Sequence, residues 1–242
     1  MGNQEINQPS AAIFTMLYNE YDVIDYSLSQ LRKTTTLNLP IYAVDNDYPF
    51  LTPDMVNDLQ KKHNFTLIGT RHNRGLAGGA NELINSVNVD YAIGYDCDSN
   101  PVTPGWDIAF LKLIKNTNLA YLSLMLEVSK REMLERGHTV WHYEDYTIWR
   151  PHAACVQSVP IFDTAYIKKI GGIQEPKKYY GGLEACMFKY WDNDHQIGYL
   201  DGYYEMPENK SDKVNPLYTE YKLEYAHKGY NGSFDDFLKT RQ

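Results

Sequence analysis

Short apolar runs alternate with helical segments along the first part of the chain. In the first helical segment the apolar positions Val23, Ile24, Leu28 and Leu31 fall on one helix face. The sequence Thr-Pro-Asp at residues 52–54 is typical of a helix start, with Thr as the cap and Pro at the first helical position. The pattern predicts strands at residues 11–17, 39–44, 65–69 and 91–95, and helices at residues 22–34, from residue 53, and at residues 76–85.

This alternation favours a mostly parallel central sheet with helices on both faces, an α/β fold. In such sheets ligands bind beyond the carboxyl ends of the strands. The polar residues that follow the predicted strands are Tyr18 and Asn19, Asp45 and Asn46, Asn73 and Arg74, and Asp96 and Asp98. Neither G-x-G-x-x-G after the first strand nor G-x-x-x-x-G-K-[ST] occurs, which argues against a dinucleotide-binding Rossmann site or a P-loop.

Two carboxylates one residue apart, Asp96 and Asp98, follow the fourth predicted strand. Side chains alternate along an extended chain, so both carboxylates are expected on the same side. Two like charges repel unless a cation lies near them. Mg²⁺ and Mn²⁺ prefer oxygen ligands and usually also bind substrate phosphates. The pair therefore predicts a divalent metal site, and the alternative is a polar turn after a strand.

Composition narrows the class of protein. The 242 residues are 43% hydrophobic and 22% charged, as in soluble globular proteins. A net charge of −8 argues against a broad nucleic-acid surface, although a local basic patch could lie within it. Three cysteines without zinc-like spacing fit a reducing compartment. Without a signal-peptide pattern or a long apolar run, the expected location is cytoplasmic.

Several motifs occur in one order along the chain. Residues 43–47 read Ala-Val-Asp-Asn-Asp, residues 73–81 contain Asn-Arg-Gly and a second Asn, and Asp96-Cys-Asp98 precedes Pro-Gly-Trp106. Residues 160–172 end in Gly-Gly, and residues 181–184 read Gly-Gly-Leu-Glu. This order resembles the family 2 glycosyltransferases of the GT-A fold, and the matching pieces span residues 11–202.

The resemblance implies a single GT-A domain over residues 1–242. Its parts would be a nucleotide-sugar-binding half over residues 11–105, an acceptor-side half over residues 106–204, and a tail over residues 205–242. It also implies sugar transfer from a nucleoside diphosphate sugar, with a UDP-sugar favoured, to an acceptor hydroxyl with Mn²⁺ or Mg²⁺ as cofactor. The acceptor could be a glycan, a lipid-linked glycan, a protein or a modified DNA base.

The donor-binding residues implied by the resemblance are Tyr18, Asp45, Asn73, Arg74, Asp96 and Asp98. Asp45 would hold the edge of the nucleobase, and Asp96 would contact the ribose or the water shell of the metal. Asp98 would ligate the ion that bridges the diphosphate. Such an ion neutralises the charge that builds on the leaving group.

The resemblance also implies that Glu184 is the general base of an inverting reaction. A base of this kind works best with a pKa raised by partial burial. The sequence departs from the family here, because Leu183-Glu184-Ala185 holds one acid where the family often has two adjacent ones. Glu184 could equally bind the acceptor.

A third metal ligand is a second departure. Some relatives place a His soon after the strand that reads Gly-Tyr-Leu-Asp at residues 198–201, whereas the next His in this chain is His227. His227 is therefore the candidate third ligand beside Asp98 and Asp96. Isolated histidines are more often structural or solvated than metal ligands.

The acceptor side is the least family-like stretch. Residues 127–137 read as a charged amphipathic helix with a Gly stop, and residues 138–150 as an aromatic hairpin or lid. In this fold the second half shapes the acceptor site, so Trp141, Trp149 and Arg150 are candidate acceptor contacts. The alternative is a packed β-ribbon without a ligand. The tail is expected to end in a short helix at residues 234–240.

Two other functions are compatible with the sequence. A nucleotidyltransferase also uses paired acids and Mg²⁺ on an α/β sheet, but it would carry a Gly-rich, basic phosphate loop where residues 17–20 read Leu-Tyr-Asn-Glu. A non-catalytic nucleotide-sugar-binding relative would tend to lose its metal acids, and Asp96 and Asp98 are both present. The single Glu184 is the feature that favours the non-catalytic reading. A metal-assisted glycosyltransferase is therefore the prediction.

Overall fold

The computed structural model describes residues 10–126, 134–135, 139–150, 159–173, 196–207, 216–227, 232 and 234–241. The strands of these ranges are β1 (Ala11–Leu17), β2 (Ile41–Asp45), β3 (Thr66–Leu67), β4 (Tyr91–Asp96), β5 (Ser99–Pro101), β6 (Leu119–Leu126), β7 (Thr139–Tyr143), β8 (Tyr146–Arg150), β9 (Pro160–Asp163) and β10 (Gln196–Pro207). The helices are α1 (Tyr21–Thr34), α2 (Pro53–His63), α3 (Gly75–Ser86), α4 (Trp106–Asn116), α5 (Thr164–Lys169), α6 (Pro216–His227) and α7 (Phe234–Lys239).

The strands form one mixed sheet in the order β3-β2-β1-β4-β9-β6-β10-β8-β7, and β5 pairs with β10. The neighbours β3, β2, β1 and β4 run parallel, as do β6 and β10. The predicted α/β class is confirmed, and the sheet that was predicted to be mostly parallel is mixed. Parallel pairing does not extend across the whole sheet, because β9 enters between β4 and β6 and runs antiparallel to both.

The core lies on both faces of this sheet, and β1 shows why. Its alternate residues Ile13 and Leu17 pack with helices α1, α2 and α4 on one face. Ala12 and Phe14 pack with α3 and α5 on the other face. Because successive side chains of a strand point to opposite faces, an unbroken apolar run is what a strand buried on both sides requires.

The predicted element boundaries hold closely, and the differences have local causes. Thr52 caps α2 through a hydrogen bond from the Met55 amide at 3.3 Å. Strand β2 begins after Pro40, because proline has no amide to donate to the ladder. Strand β3 is shorter than predicted, and Gly69, with a φ of 70°, follows its end.

Close packing of α3 on the sheet depends on its small residues. A Cβ atom added to Gly79 would lie 2.7 Å from the sulfur of Met16 in β1, so a larger residue would require the Met16 side chain or the helix to shift. This contact brings the start of α3 over the end of β1. The start of α3 carries the Asn-Arg-Gly sequence at residues 73–75, and the end of β1 carries Tyr18.

The second half of the described chain contains the predicted hairpin. Strands β7 and β8 pair antiparallel, with Trp141 opposite Ile148 and Val140 opposite Trp149. The short helix predicted at the end of the tail is also present, as α7. The predicted helix at residues 127–137 lies outside the described residues except for residues 134–135, which are helical. None of the described helices combines the length and the apolar character needed to cross a lipid bilayer.

Candidate functional site

The ends of β1, β2 and β4 meet at one edge of the sheet. In the parallel register Leu17 lies beside Asp45, and Met16 lies beside Asp96. The Asn46 amide also donates to the Leu17 carbonyl at 3.1 Å. The polar residues that follow these strands are therefore neighbours in space, as the topology predicted.

Asp45 is bound by Arg71, an arginine that the sequence analysis did not assign. The Asp45 side chain is 10% exposed, and its Oδ2 atom lies 2.8 Å from Nη1 of Arg71. Nε of the same guanidinium lies 2.7 Å from a carboxylate oxygen of Asp47, and Nη2 donates to the Tyr48 carbonyl at 3.1 Å. Asp45 is the last residue of β2 and Asp47 lies two positions later, just as Asp96 ends β4 and Asp98 lies two positions later. The two acidic residues at this spacing were the signal in the sequence for a positively charged side chain beside Asp45.

Arg74, which was predicted to bind the donor, holds the loop that contains it. Its side chain is only 6% exposed and forms an ion pair with Glu82 of α3. The guanidinium also donates to the carbonyl oxygens of Thr70, of His72 at 2.8 Å and of Asp45 at 3.2 Å. Gly69 completes this packing, because a Cβ atom there would overlap the Glu82 carboxylate. The structure therefore uses Arg74 to fix the loop before α3.

Two asparagines join this loop to the strand ends. The side-chain oxygen of Asn46 accepts a hydrogen bond from the backbone N–H of Arg74 at 2.9 Å, and that of Asn73 accepts one from the backbone N–H of Gly75 at 3.0 Å. Asn73 is also hydrogen-bonded to the side chain of Tyr18. Burial raises the pKa of Tyr18 well above its usual value, and only the hydrogen bond with Asn73 acts in the opposite direction. Tyr18 is therefore a neutral phenol at the end of β1.

Asp98 lies in a turn after β4, which ends at Asp96. Its Oδ2 atom accepts a hydrogen bond at 3.3 Å from the side-chain amide of Asn19, a buried residue. Asp96 lines a narrow apolar cavity between α3 and the sheet together with Met16 and Leu76. Strand alternation was the reason for expecting both carboxylates on one side, and it does not extend to Asp98, because the chain leaves the strand before that residue.

A buried hydroxyl network fixes the strand that carries these carboxylates. The Tyr95 hydroxyl lies 2.7 Å from the Ser27 hydroxyl on α1 and donates to the Ser99 carbonyl at 2.5 Å. Burial raises the pKa of Tyr95 far above its usual value, so the phenol stays protonated. The turn with Asp98 lies between two anchored points, Tyr95 and Ser99.

The donor chemistry at this edge suits a hard divalent cation. Within the described residues no three His, Cys, Asp or Glu side chains are grouped as a complete metal cage. Magnesium and manganese sites often use one or two carboxylates and complete the shell with waters and substrate phosphates. Asp96 and Asp98 would provide the carboxylates. The proposed base Glu184 and the side chain of His227 lie outside the described residues.

The three candidate acceptor contacts differ in their surroundings. Trp141 is partly exposed, and the guanidinium carbon of Arg150 lies 5.7 Å from the centre of its ring. The Trp149 side chain is buried, in a cluster with Met125 and Tyr199. Trp141 and Arg150 therefore form one surface of the hairpin, and Trp149 packs into the sheet.

Comparison with known proteins agrees with this geometry. A mannosyltransferase from Pyrobaculum calidifontis, PcManGT, solved with GDP-Man and Mn²⁺, has a TM-score of 0.64 at 14% identity, over 79% of this chain and 55% of its own. GalNAc-T7, solved with UDP, GalNAc and Mn²⁺, has a TM-score of 0.64 at 8% identity, over 83% and 44%. S. aureus TarS, solved with UDP-GlcNAc, has a TM-score of 0.60 at 16% identity, over 81% and 58%.

At these identities the likeness establishes the fold, and the predicted GT-A fold is confirmed. The chain spans 55%, 44% and 58% of the lengths of these three structures. No curated protein matches the chain in sequence. The family model described as glycosyl transferase family 2 matches residues 12–159, which is more than half of the 242-residue chain. The match covers the strand ends described above, and the chain belongs to glycosyl transferase family 2.

Proposed function

We propose that the protein transfers a sugar from a nucleoside diphosphate sugar to an acceptor hydroxyl, with a divalent metal ion at Asp98. The observation that carries the proposal is the grouping at one sheet edge of an arginine-bound carboxylate, Asp45, with the neutral phenol of Tyr18 and the carboxylate of Asp98. Family membership supports the reaction class. Structures with the same fold contain GDP-Man, UDP or UDP-GlcNAc, and two of them contain Mn²⁺.

Asp45 and Arg71 would recognise the edge of the nucleobase. An ionised carboxylate offers about four acceptor positions and a guanidinium five N–H groups. Asp45 uses one oxygen for Arg71 and the other for the Asp47 amide, while Arg71 donates to Asp45, Asp47 and the Tyr48 carbonyl. Acceptor positions and N–H groups therefore remain side by side. That edge is complementary to the adjacent N–H and C=O groups of uracil and also to those of guanine, and we keep the UDP-sugar favoured by the sequence resemblance as the proposed donor.

Tyr18 and Asn73 would contact the base or the ribose beside this pair. The flat ring of Tyr18 provides an apolar face, and its hydroxyl is held by Asn73. Arg74 would act indirectly, because its guanidinium is used by Glu82 and by backbone carbonyls of its own loop.

Asp96 and Asp98 would hold Mn²⁺ or Mg²⁺, with Asp96 also able to contact the ribose or the metal's water shell. When bound, the ion would act as a Lewis acid that neutralises charge on the leaving nucleoside diphosphate. Asn19 would orient the Asp98 carboxylate through its amide. We propose His227 as the third ligand.

We further propose that the reaction inverts the anomeric centre and that Glu184 takes the proton of the acceptor hydroxyl. Sequence resemblance supports this assignment. The acceptor surface would include Trp141 and Arg150, because an aromatic ring beside a guanidinium suits stacking and hydrogen bonding to a sugar. A glycan, a lipid-linked glycan, a protein and a modified DNA base all remain candidate acceptors.

Thermal unfolding with UDP, GDP and their sugars, each with and without Mn²⁺, tests the donor site. A ligand at a hundred times its Kd stabilises the folded state by about 2.7 kcal/mol. For a chain of this size we expect the melting temperature to rise by about 5–10 °C. Asp98→Asn should remove the part of the rise that depends on Mn²⁺, because an amide is a poor ligand for a hard cation.

The matched control is Asp54→Asn, which makes the same chemical change at an exposed position in the first turn of α2. This control should keep the full Mn²⁺-dependent rise. If no nucleotide or nucleotide sugar shifts the wild-type protein, the proposed function is wrong. Glu184→Gln tests the proposed base separately, and it should keep donor binding and lose sugar transfer.

A further inference from the structure

The last two described helices, α6 and α7, lie beyond residue 159, where the family model ends. They bury four aromatic rings, which we call the tail cluster: Tyr218, Tyr221, Phe234 and Phe237. Their exposed fractions are 9%, 6%, 0% and 2%. The partners of these rings show what the tail contacts.

Two rings of the tail cluster contact the donor side of the sheet. The ring of Tyr218 lies 5.9 Å from Tyr18 and 5.8 Å from Tyr48, in edge-to-face geometry. The ring of Phe234 stacks on Tyr48 at 6.1 Å. Tyr18 and Tyr48 also contact each other at 5.2 Å. Tyr218 is therefore packed against both aromatic residues that follow β1 and β2.

These two residues are bound directly to the candidate donor site. The Tyr18 side chain is hydrogen-bonded to Asn73. The Tyr48 carbonyl accepts from Arg71 at 3.1 Å, and the Tyr48 hydroxyl donates to Glu20 at 2.9 Å. A displacement of the Tyr18 ring would move the hydrogen-bond partner of Asn73. Tyr48 is connected to Arg71 through its backbone carbonyl.

Charged groups of the candidate site also affect pKa values in the two tail helices. Burial raises the pKa of Tyr218 far above its usual value, and the charge of the Asp98 carboxylate contributes. Burial and the nearby charge of Asp47 raise the pKa of Asp235 at the start of α7. Tyr218 is thus close enough to the proposed metal ligand Asp98 for that charge to affect its pKa. Asp235 of α7 is likewise close to Asp47, one of the two carboxylates that bind Arg71.

We propose that Tyr218 is a positioning residue for the donor, and that its ring holds Tyr18 in the orientation that binds the nucleoside part of a nucleoside diphosphate sugar. This inference rests on the proposed function. It assigns part of the donor site to a segment that the family model does not cover. The effect is indirect, since Tyr218 acts through its contacts with Tyr18 and Tyr48.

Three variants separate positioning from general stability. Tyr218→Ala removes the ring, Tyr218→Phe keeps the ring and removes the hydroxyl, and Phe237→Ala is the matched control. Phe237 is also buried in the tail cluster, and its ring lies against Tyr221, Phe234 and the guanidinium of Arg241. Titration calorimetry with UDP and Mn²⁺, and with GDP and Mn²⁺, gives the Kd of each variant, and thermal unfolding gives its stability.

We expect Tyr218→Ala to raise the Kd of the nucleotide that binds the wild type by about tenfold. Tyr218→Phe should stay within about twofold of the wild type, because ring packing is kept. Phe237→Ala should lower the melting temperature and leave the Kd within about twofold, because its ring does not contact Tyr18 or Tyr48.

An unchanged or lower Kd in Tyr218→Ala would overturn the inference, and a lower one would mean that the tail obstructs the site. An equal rise in Phe237→Ala would also overturn it, because the effect would then be general loss of tail packing. If neither UDP nor GDP binds the wild type, the proposed function fails and the inference fails with it. Wild-type binding with an unchanged Tyr218→Ala variant overturns the inference alone.

Discussion

The ion pair between Arg71 and Asp45 gives the sharpest test of the site's architecture in the protein without ligand. Arg71→Met removes the guanidinium and keeps much of the side-chain volume. It leaves Asp45, which is buried, without the cation 2.8 Å from its carboxylate. Asp45→Asn makes the complementary change, because it removes the charge and keeps an amide of the same shape. The double variant removes both charges.

The structure sets the expected magnitudes. Removal of one partner from a fully buried ion pair costs about 3–5 kcal/mol, since a charge is left uncompensated. The Arg71 side chain is 25% exposed, so solvent screens part of this cost. We expect Arg71→Met to lose about 2 kcal/mol of unfolding free energy. Asp45→Asn should lose about 1 kcal/mol, the net value of a hydrogen bond. The double variant should lose about 1 kcal/mol less than the sum, because no buried charge is left unpaired.

Urea unfolding of the three variants and the wild type, without nucleotide or metal, measures this coupling energy. The control is the same cycle at Lys112 and Glu144, an ion pair of 2.5 Å whose side chains are 42% and 50% exposed. That cycle should be additive, because exposed pairs contribute little. An additive cycle at Arg71 and Asp45 would show that the pair is not formed in solution, and the nucleobase edge proposed above would lose its basis.

Three further predictions concern stability. Burial raises the pKa of Asp235, so ionising its carboxyl costs more in the folded protein than in the unfolded one. The stability contribution of Asp235 is therefore lost as pH rises through the folded-state pKa. In thermal unfolding, the melting temperature of Asp235→Asn should lie above that of the wild type at pH 7 and equal it near pH 3. Burial raises the pKa of Asp25, but hydrogen bonds with Lys62 and His63 outweigh it and the pKa is lowered. Asp25→Asn should therefore be less stable than the wild type above about pH 4, and melts at lower pH should show the difference vanish as wild-type Asp25 protonates. Tyr95→Phe should lose about 1 kcal/mol in urea unfolding, because it removes the buried hydroxyl that bonds to Ser27 and Ser99, while the Ser27 hydroxyl still donates to the Ser99 carbonyl.

The parallel half of the sheet could be predicted because its signals are local. Strand β1 occupies the predicted residues 11–17, and α2 starts at the predicted Thr-Pro-Asp sequence. Each of these signals lies within a few residues of the element that it specifies. The order of strand, cap and helix then determines which polar residues follow the strands, and so which side chains meet at the edge.

The antiparallel insertion of β9 could not be predicted in this way. The four residues of Pro160–Asp163 are too short for a period to be read, and they pair with β4, about seventy residues earlier, and with β6. Pairing between distant segments depends on which edge of the sheet is open when the chain returns. Residue patterns within a short window do not contain that information.

The two arginines of one loop show the same limit at the level of single atoms. The sequence predicted that Asn73 and Arg74 lie where the strands end, and both lie there. Arg74, however, is bound by Glu82, eight residues later on α3. Arg71, three residues earlier, therefore supplies the guanidinium beside Asp45. Local pattern selects the residues near a site, whereas the partners that each one acquires on folding determine which donors and acceptors remain for a ligand. By the same reasoning β1 places Tyr18 at this edge of the sheet, whereas Tyr218, the residue that we propose holds its orientation, lies two hundred residues later in the chain and 5.9 Å away between ring centres.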